Sequence, residues 1–423
     1  MSDIVNRFRP NLEEFEAIYQ SIHKNAELSM METQTAQQMA GHLHSLGFEV
    51  TEGVGGNGVV GELCNGEGQC VMLRAELDAL PIKEATNLPH ACDKTMRDVW
   101  GQEQPVMHAA GHDLHMASLL AAATLMRDAM SYWQGTLVVV FQPNTVHTGG
   151  AQAMVDQDLY SIAPVPDAIF AQHSGPFPAG HINILKGPAL MSADTVRIKL
   201  YCSLGCQANP QCNVNLVALA SDLVDALERL AHSNQHYAHI TVDAIHAGHP
   251  GQNSVSHVEL VLDIKTDNES TRQYILGAIG PKAKEVCRNV GVRDPPEVEI
   301  SSRAPLTLNN AHLAGVLQQS FLEHFGEDKV RARPPLSLAC DDFSRLAAPH
   351  DIPYVMWHLG RQDPSAREPH DFSELVRRVP FNDSPCNAPV LWPTLQTGTD
   401  ALALAALGLL LRVAKAFETF KEI

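Results

Sequence analysis

Residues 107–120 have the sequence MHAAGHDLHMASLL, which places three histidines and one aspartate within eight residues. The Ala- and Leu-rich pattern that follows predicts a helix over residues 116–130, so these polar residues lie where the helix begins. One interpretation is a polar helix N-terminus, where His and Asp side chains contact solvent or cap the first turn. The other is a metal-binding or general-base cluster, because imidazole is the commonest metal ligand. Both interpretations are open from this segment alone.

Strands and helices alternate on both sides of this segment. Residues 12–46 have a helical periodicity that ends at Gly47, whereas residues 136–141 (TLVVVF) form an apolar run that is typical of a buried strand. Residues 58–66 and 68–77 predict two strands joined by a turn that contains Gly and Asn, which favours a hairpin. This alternation predicts an α/β fold, in which helices cover both faces of a sheet.

The pattern changes near Ser192. From there to residue 304 the predicted elements follow the order strand, helix, strand, strand, helix, strand, which is the ferredoxin-like arrangement. The strands are predicted at residues 194–202, 239–248, 257–266 and 297–302, and the helices at residues 214–231 and 272–290. We therefore expect residues 1–191 and 305–423 to form one discontinuous α/β domain, into which residues 192–304 are inserted as a second domain.

The composition is that of a globular protein, with 45% hydrophobic and 18% charged residues among 423. The net charge of -18 disfavours nucleic acids and anionic membranes as partners, because both repel an acidic surface. The N-terminal residues lack the apolar core of a secretory signal, and the longest apolar stretch, residues 401–411, is too short to span a bilayer. Nine cysteines without zinc-finger spacing indicate reduced thiols and a cytoplasmic location.

Several further segments carry recognisable patterns in chain order. They are HKNAELSMMETQT (23–35), LRAELDALP (73–81) followed by Glu84, VMHAAGHDLHMASLL (106–120), FQPN (141–144), HSGPFPAG (173–180), CDDF (340–343) and NDSPCNAPVLWPTLQTG (382–398). In these segments the chain resembles the aminoacylase and indole-acetyl-amino-acid amidohydrolase family of co-catalytic metallopeptidases, over nearly its whole length. The resemblance implies a zinc-exopeptidase-like α/β domain with an inserted ferredoxin-like lid or dimerisation domain. It also implies a small-molecule ligand and a homodimer that forms through the inserted domain.

The family's mechanism, carried over residue by residue, meets several substitutions in this chain. In the family, two divalent metals activate a water molecule and polarise an amide carbonyl. The positions of three metal ligands, a Cys, a Glu and a His, are here Ala110, Val146 and Asp383. Thr145 stands where the general base would be, and Cys206 where the inserted domain would carry a helper histidine. The resemblance therefore implies that the two-metal centre is lost.

Two ligand histidines of the family are kept, at His112 and His173. Two neutral imidazoles alone make a weak site, since zinc usually has three or four protein ligands. A third ligand, Asp78 or Asp383, would complete a set of two histidines and one carboxylate that supports a single ion. We therefore expect no metal, or at most one divalent metal such as zinc or manganese.

Other polar residues of these segments are candidates for catalysis. His147 directly follows the lost glutamate pair, although a surface-loop histidine before Gly149 is the alternative. Asp383 is expected to orient His173 or His112 as an acid–base pair. The alternative is a hydrogen-bonded polar remnant without turnover.

The predicted substrate-binding residues are His108, Asn144, Thr145, Cys206 and Asn253. Of these, Asn253 falls where the family's inserted domain supplies an asparagine to the substrate, although a turn residue is the alternative.

Three functional hypotheses follow. The first is a repurposed enzyme that acts on a small acyl- or amide-like molecule by His and Asp acid–base chemistry. The second is a catalytically silent pseudoenzyme that binds a ligand or a partner, which the apolar side chain of Val146 favours. The third is an amidohydrolase with a single metal. Metal content separates the third hypothesis from the others, and turnover of a substrate panel separates the first from the second.

Overall fold

The structure is a computed structural model that describes residues 1–202, 214–231, 238–248, 255–332, 339–365 and 383–411. The chain divides into two compact units. The large unit comprises Met1–Ala189, Leu308–Ser337 and Asp342–Ile423, and the small unit comprises Leu190–Thr307 and Leu338–Asp341. The short segment Leu338–Asp341 of the small unit is one that the sequence-based division assigned to the large domain.

The described strands are numbered in chain order. They are β1 (Glu49–Val54), β2 (Gly58–Asn65), β3 (Cys70–Glu76), β4 (Thr95–Arg97), β5 (Glu103–Pro105), β6 (Gly135–Gln142), β7 (Ala168–Pro178), β8 (Ile182–Ile184), β9 (Pro188–Leu190), β10 (Ser192–Tyr201), β11 (Ala238–Ala247), β12 (His257–Thr266), β13 (Glu297–Ala304), β14 (Thr307–Leu308), β15 (Val330–Arg331) and β16 (Tyr354–Gln362).

The described α-helices are numbered in the same way. They are α1 (Ser2–Phe8), α2 (Leu12–Lys24), α3 (Thr33–Ser45), α4 (His112–Asp128), α5 (Gly150–Asp156), α6 (Leu159–Ile162), α7 (Leu216–Ala231), α8 (Glu269–Asn289), α9 (Ala311–Phe325), α10 (Ser344–Ala347) and α11 (Leu391–Leu410). Short 3₁₀ turns lie at Met130–Tyr132 and Ala348–His350.

The large unit is built on a mixed sheet with the strand order β1-β2-β6-β3-β7-β16-β8-β15. The central strands β6, β3, β7 and β16 pair in parallel, and β1 and β2 add an antiparallel edge. All seven residues of β3 are buried, as expected for a strand between two parallel neighbours. The predicted α/β fold class is confirmed.

The predicted hairpin between β2 and β3 is wrong, because β6 lies between them. β2 pairs antiparallel with one side of β6, and β3 pairs parallel with the other side. The continuous apolar run of β3 is stabilised by burial between two parallel strands, where it contributes more than at the side of a two-stranded ribbon. The observed hairpin joins β1 to β2.

The helical pattern of residues 12–46 divides into two helices, α2 and α3. The segment between them contains Met30 with φ 68°, a left-handed conformation that interrupts a helix. Helix α4 begins at His112, four residues before the predicted start. Gly111 precedes it with φ +87°, and a Cβ there would lie 3.1 Å from the Ser174 hydroxyl, so both the backbone and the space favour glycine.

The small unit is a four-stranded antiparallel sheet with the order β11-β12-β10-β13, accompanied by helices α7 and α8. Alternate residues of β12 are buried, which gives the sheet one apolar face. That face belongs to a hydrophobic core that also includes Leu223 of α7 and Ile279 of α8. The predicted ferredoxin-like arrangement is confirmed.

The polar segments of the sequence come together at the carboxyl ends of the central strands in the large unit. β3 and β6 both end there, at Glu76 and Gln142, and α4 begins with His112. Ligand sites of open α/β sheets lie beyond the carboxyl ends of the parallel strands. In the described part of the chain, none of the helices combines the length and the apolar character needed to cross a membrane.

Candidate metal centre

Three buried side chains converge at this end of the central strands. Glu76 closes β3, His112 opens α4 and His173 lies within β7. One carboxylate oxygen of Glu76 and one ring nitrogen of each histidine lie within 4.8 Å of one another. Among the described residues no other three His, Cys, Asp or Glu side chains bring their donor atoms together in this way.

His112 is oriented by the turn that follows β3. Its Nδ1 donates to the backbone oxygen of Asp78 at 2.7 Å, with the Asp78 carboxylate at 3.4 Å, so Nε2 is the nitrogen available to a metal. Burial alone would lower the pKa of His112, but the hydrogen bond to Asp78 and the charges of Glu76 and Asp78 raise it from 6.5 to about 9. A bound cation would therefore displace a proton from this ring.

Glu76 is held between two donors. Arg74 forms an ion pair with one carboxylate oxygen, and His115 Nδ1 contacts the other at 2.8 Å. Burial opposes ionisation, but the charge of Arg74 and the hydrogen bond from His115 hold the pKa of Glu76 well below its usual value. Arg74 is itself anchored, because its Nε donates to Gln142 at 2.9 Å.

His115 lies beside the three donors. Its ring centroid is 4.8 Å from that of His173 and 5.8 Å from that of His112. Because Nδ1 faces the Glu76 carboxylate, Nδ1 carries the proton, and Nε2 has no hydrogen-bond partner among the described residues. Burial lowers the pKa of His173 well below 6.5, which favours the neutral ring that a metal requires.

Asp78 is engaged by the loop after β6 and is not part of the group of three donors. Thr145 Oγ1 donates to one carboxylate oxygen at 2.5 Å, and the backbone nitrogen of Val146 and the hydroxyl of Ser29 each donate to the other at 2.8 Å. Burial would raise the pKa of Asp78, but the hydrogen bonds from His112, Thr145 and Val146 lower it to about 2. Asp78 is therefore a wrong prediction for the third ligand, and Glu76 is in that place.

The loop that carries Thr145 and Val146 has an unusual backbone. Asn144 and Thr148 both adopt a positive φ, of 53° and 52°. This conformation is uncommon for a non-glycine residue and costly for the β-branched Thr148. The backbone nitrogen of Asn144 is fixed by Glu32 Oε1 at 2.8 Å, and its side-chain oxygen accepts from Ser29 at 3.1 Å. The loop is thus tied to the segment between α2 and α3.

The predicted catalytic residues outside the three-donor group lie in different surroundings. His147 is exposed, and its ring packs edge-on against Trp100 at 5.3 Å. Asp383 is exposed as well, and its charge acts on Arg361, whose pKa falls to about 10 through burial. The carboxylate in contact with His112 is Asp78, so the predicted orienting role of Asp383 toward His112 is wrong.

The predicted binding residues also lie in different surroundings. His108 is buried, and neither of its ring nitrogens has a hydrogen-bond partner among the described residues. Burial lowers the pKa of His108 to about 4, so the ring is neutral. Ala110 is also buried and offers only a methyl group. Cys206 and Asn253 lie outside the described residues.

Sequence reasoning missed Glu76 as a donor. The signal was present in LRAELDALP, which places a glutamate at the end of an apolar run and before a turn. Its side chain reaches the two histidines from the end of the buried strand β3. With Glu76 the donor set is two imidazoles and one ionised carboxylate, which fits one divalent cation.

A second buried network of hydrogen bonds lies beside the first turn of α4. His23 Nδ1 lies 2.6 Å from Asp113, and His23 Nε2 lies 3.1 Å from Glu84. Burial would lower the pKa of His23, but the hydrogen bonds and charges of both carboxylates raise it to about 9. The resulting imidazolium fixes Asp113, which is the residue after His112.

Known proteins resemble the chain along most of its length. The model of peptidase family M20/M25/M40 matches residues 72–378. A hippurate hydrolase of Campylobacter jejuni is 32% identical over 337 residues, which are 78% of this chain and 84% of that protein. An N-acetylcysteine deacetylase of Bacillus subtilis is 27% identical over 260 residues, which are 60% of this chain and 65% of that protein.

Solved structures share the fold. A putative aminohydrolase from methicillin-resistant Staphylococcus aureus superposes with a TM-score of 0.80 at 21% identity, covering 97% of this chain and 100% of that one. The YXEP protein of Bacillus subtilis, described as a dinuclear metal-binding peptidase, superposes with a TM-score of 0.73 at 22% identity, covering 94% and 97%. The chain therefore belongs to peptidase family M20/M25/M40.

Proposed function

We propose that the chain is an amidohydrolase that cleaves N-acyl amino acids at a centre with one divalent cation. The observation that carries this proposal is the convergence of Glu76, His112 and His173, whose donor atoms lie within 4.8 Å of one another. Of the three hypotheses left open by the sequence, this convergence favours the single-metal amidohydrolase.

The proposal of one cation rests on the other ligand positions of the family pattern. Ala110 and Val146 present hydrocarbon, and the carboxylate of Asp383 is exposed. Thr145 donates its hydroxyl proton to Asp78, so it is not placed to accept a proton. A second cation would have too few protein ligands, since zinc sites normally have at least three.

The chain's own residues supply the rest of the chemistry. When bound, a divalent cation polarises an amide carbonyl as a Lewis acid. His115 offers its buried, unpartnered Nε2 as the atom that accepts a proton from the attacking water and returns it to the leaving amine. Glu76 orients this ring through Nδ1, in the way that a carboxylate orients a catalytic histidine.

The substrate class is supported by relatives. The Campylobacter relative is named a hippurate hydrolase, and relatives in Arabidopsis thaliana are named IAA-amino acid hydrolases. These names describe amides of amino acids, and this chain shares 32% of its residues with each of these two proteins over the matched lengths. We propose the same bond, the amide between an acyl group and an α-amino acid.

The test is hydrolysis of N-benzoylglycine and N-acetylmethionine with added manganese or zinc. We expect turnover by the wild type and a loss of at least about 100-fold for Glu76→Gln, His112→Ala and His173→Ala, because each removes a metal ligand. His44→Ala is the matched control, since His44 is exposed on α3. Absence of turnover by the metal-loaded wild type on both substrates would overturn the proposal.

A further inference from the structure

The large unit contains a cavity beside the loop that carries Val146. Its volume is about 260 Å³, and its walls include Leu28, Pro81, Val99, Trp100, Val146 and His147. The small hairpin of β4 and β5 forms one wall, with Trp100 at the turn between the strands. Trp100 is 69% exposed and Val99 46% exposed, an unusual position for two large apolar side chains in adjacent positions.

The hairpin is organised to hold Trp100 in this place. Asp98 Oδ1 accepts from the backbone nitrogens of Trp100 at 3.0 Å and of Gln102 at 2.8 Å, and Oδ2 accepts from Gln104 Nε2 at 3.3 Å. The Trp100 ring also packs edge-on against the His147 ring, with an angle of 83° between the two ring planes. The exposed indole is therefore fixed at the turn and at the ring, which lowers the entropy cost of binding against it.

Hydrogen bonds through Asp78 link the lining of the cavity to the candidate metal centre. The backbone nitrogen of Val146 and the hydroxyl of Ser29, both from cavity-lining residues, donate to the carboxylate of Asp78 at 2.8 Å. The backbone oxygen of Asp78 accepts from His112. One residue, Asp78, thus joins the lining of the cavity to His112, a donor of the candidate metal centre.

The residues that line the cavity indicate which chemical group it binds. None of the described residues that line the cavity is Lys or Arg, and Asp98 places a carboxylate there. A carboxylate of the substrate is therefore repelled, whereas a flat apolar group contacts Trp100, Val99 and Val146. The acyl group of an N-acyl amino acid is separated from the α-carboxylate by the amide, so it satisfies this requirement better than the amino-acid side chain does.

We infer that this cavity is a binding site for the aromatic acyl group of the substrate, with Trp100 as the residue that selects it. The inference rests on the proposed function, because it assigns one part of an N-acyl amino acid to the cavity. His147 accordingly forms a wall of the binding site and supports the Trp100 ring, in place of the catalytic role that its sequence position suggested.

The test uses two non-hydrolysable ketones that differ only in the acyl substituent, 4-oxo-4-phenylbutanoate and 4-oxopentanoate. Calorimetric titration of the metal-loaded protein should give tighter binding of the phenyl ketone. Trp100→Ala should weaken binding of the phenyl ketone by about tenfold or more and leave the methyl ketone within about twofold, because only the ring contacts the indole. Trp100→Phe should restore most of the affinity.

Trp392→Phe is the matched control, because Trp392 is also exposed and lies outside the cavity lining. Equal affinities for the two ketones, or an equal loss for both in Trp100→Ala, would overturn the inference. The titration requires no turnover. A selective effect of Trp100 without hydrolysis would therefore reject the proposed function and keep the binding site, and hydrolysis without this selectivity would do the reverse.

Discussion

The two sides of the candidate centre differ in how their polar groups are anchored. On the donor side, Glu76, His112 and His173 project from β3, α4 and β7. On the loop side, residues 143–150 present Thr145 and Val146, whose hydrogen bonds end on Asp78. The donor side keeps three metal-binding groups together on regular elements. The loop side supports Asp78, and through Asp78 it supports His112.

The difference agrees with the proposal of a single cation, because the group of three donors belongs to one side. Sites built on strands and helices hold their geometry better than sites built on loops. Glu76 supplies the carboxylate of the donor group from the end of β3.

The largest effect should come from His115, which completes the donor side. His115→Ala should lower kcat for N-benzoylglycine by about 10²- to 10⁴-fold, the range for removal of a general base. Its metal content should stay at the wild-type level, because His115 is outside the three donors. Loss of the metal, or kcat within about threefold of the wild type, would contradict the assigned role.

A large loss of stability should follow removal of the carboxylate in Glu76→Ala. Arg74 is completely buried and pairs with Glu76, so truncation should cost about 3–5 kcal/mol in the free energy of unfolding. Urea unfolding of metal-free protein measures this cost. Glu285→Ala, which breaks the exposed pair with Lys282, should leave the urea midpoint unchanged. Equal midpoints for the two variants would contradict the claim that the buried ion pair of Glu76 and Arg74 stabilises the donor side.

The buried network of His23, Asp113 and Glu84 should make the free energy of unfolding depend on pH. The pKa of His23 is about 9 in the folded protein, against 6.5 for the free side chain. The stabilisation is therefore complete below about pH 6.5 and is lost as the pH rises through 9, by roughly 3 kcal/mol in total. Urea unfolding at pH 6, 7.5 and 9 should follow this decline, and His23→Gln should flatten it. An equal decline in the variant would assign it to other groups.

The smallest effect should come from restoring one ligand on the loop side. Ala110→Cys or Val146→Glu alone should leave the number of bound cations and the rate of hydrolysis unchanged, because the partner ligands and the base remain absent. Groups that act as one set are strongly non-additive. Metal analysis and kcat measure both outcomes, and a second equivalent of metal in either variant would show that the loop side is closer to function than its contacts indicate.

The architecture followed from the sequence because its patterns are local. The buried run of β3 and the alternation in β12 each depend on burial of one strand, so they could be recognised without partners. Pairing depends on residues far apart, and this is why β6 was not expected between β2 and β3. The break between α2 and α3 was hidden because apolar residues continue through it, although Met30 has a left-handed backbone.

The site was predictable in its residue types and less so in its contacts. His112 and His173 could be identified from their motifs, but the reach of Glu76 and the capture of Asp78 by Thr145 depend on the positions of three different segments. The position of Asp383 was likewise expected near a histidine, yet the structure leaves its side chain exposed. Trp100 carried no sequence signal, because its significance depends on a hairpin that folds against the loop of His147.

The most direct test of the account is the number of cations bound per chain. The protein, stripped with a chelator and dialysed against manganese or zinc, should contain one equivalent by elemental analysis, and Glu76→Gln should contain clearly less. His44→Ala should match the wild type. Two equivalents in the wild type would mean that the loop side also holds a metal, and no bound metal would mean that the convergence of Glu76, His112 and His173 is not a metal centre.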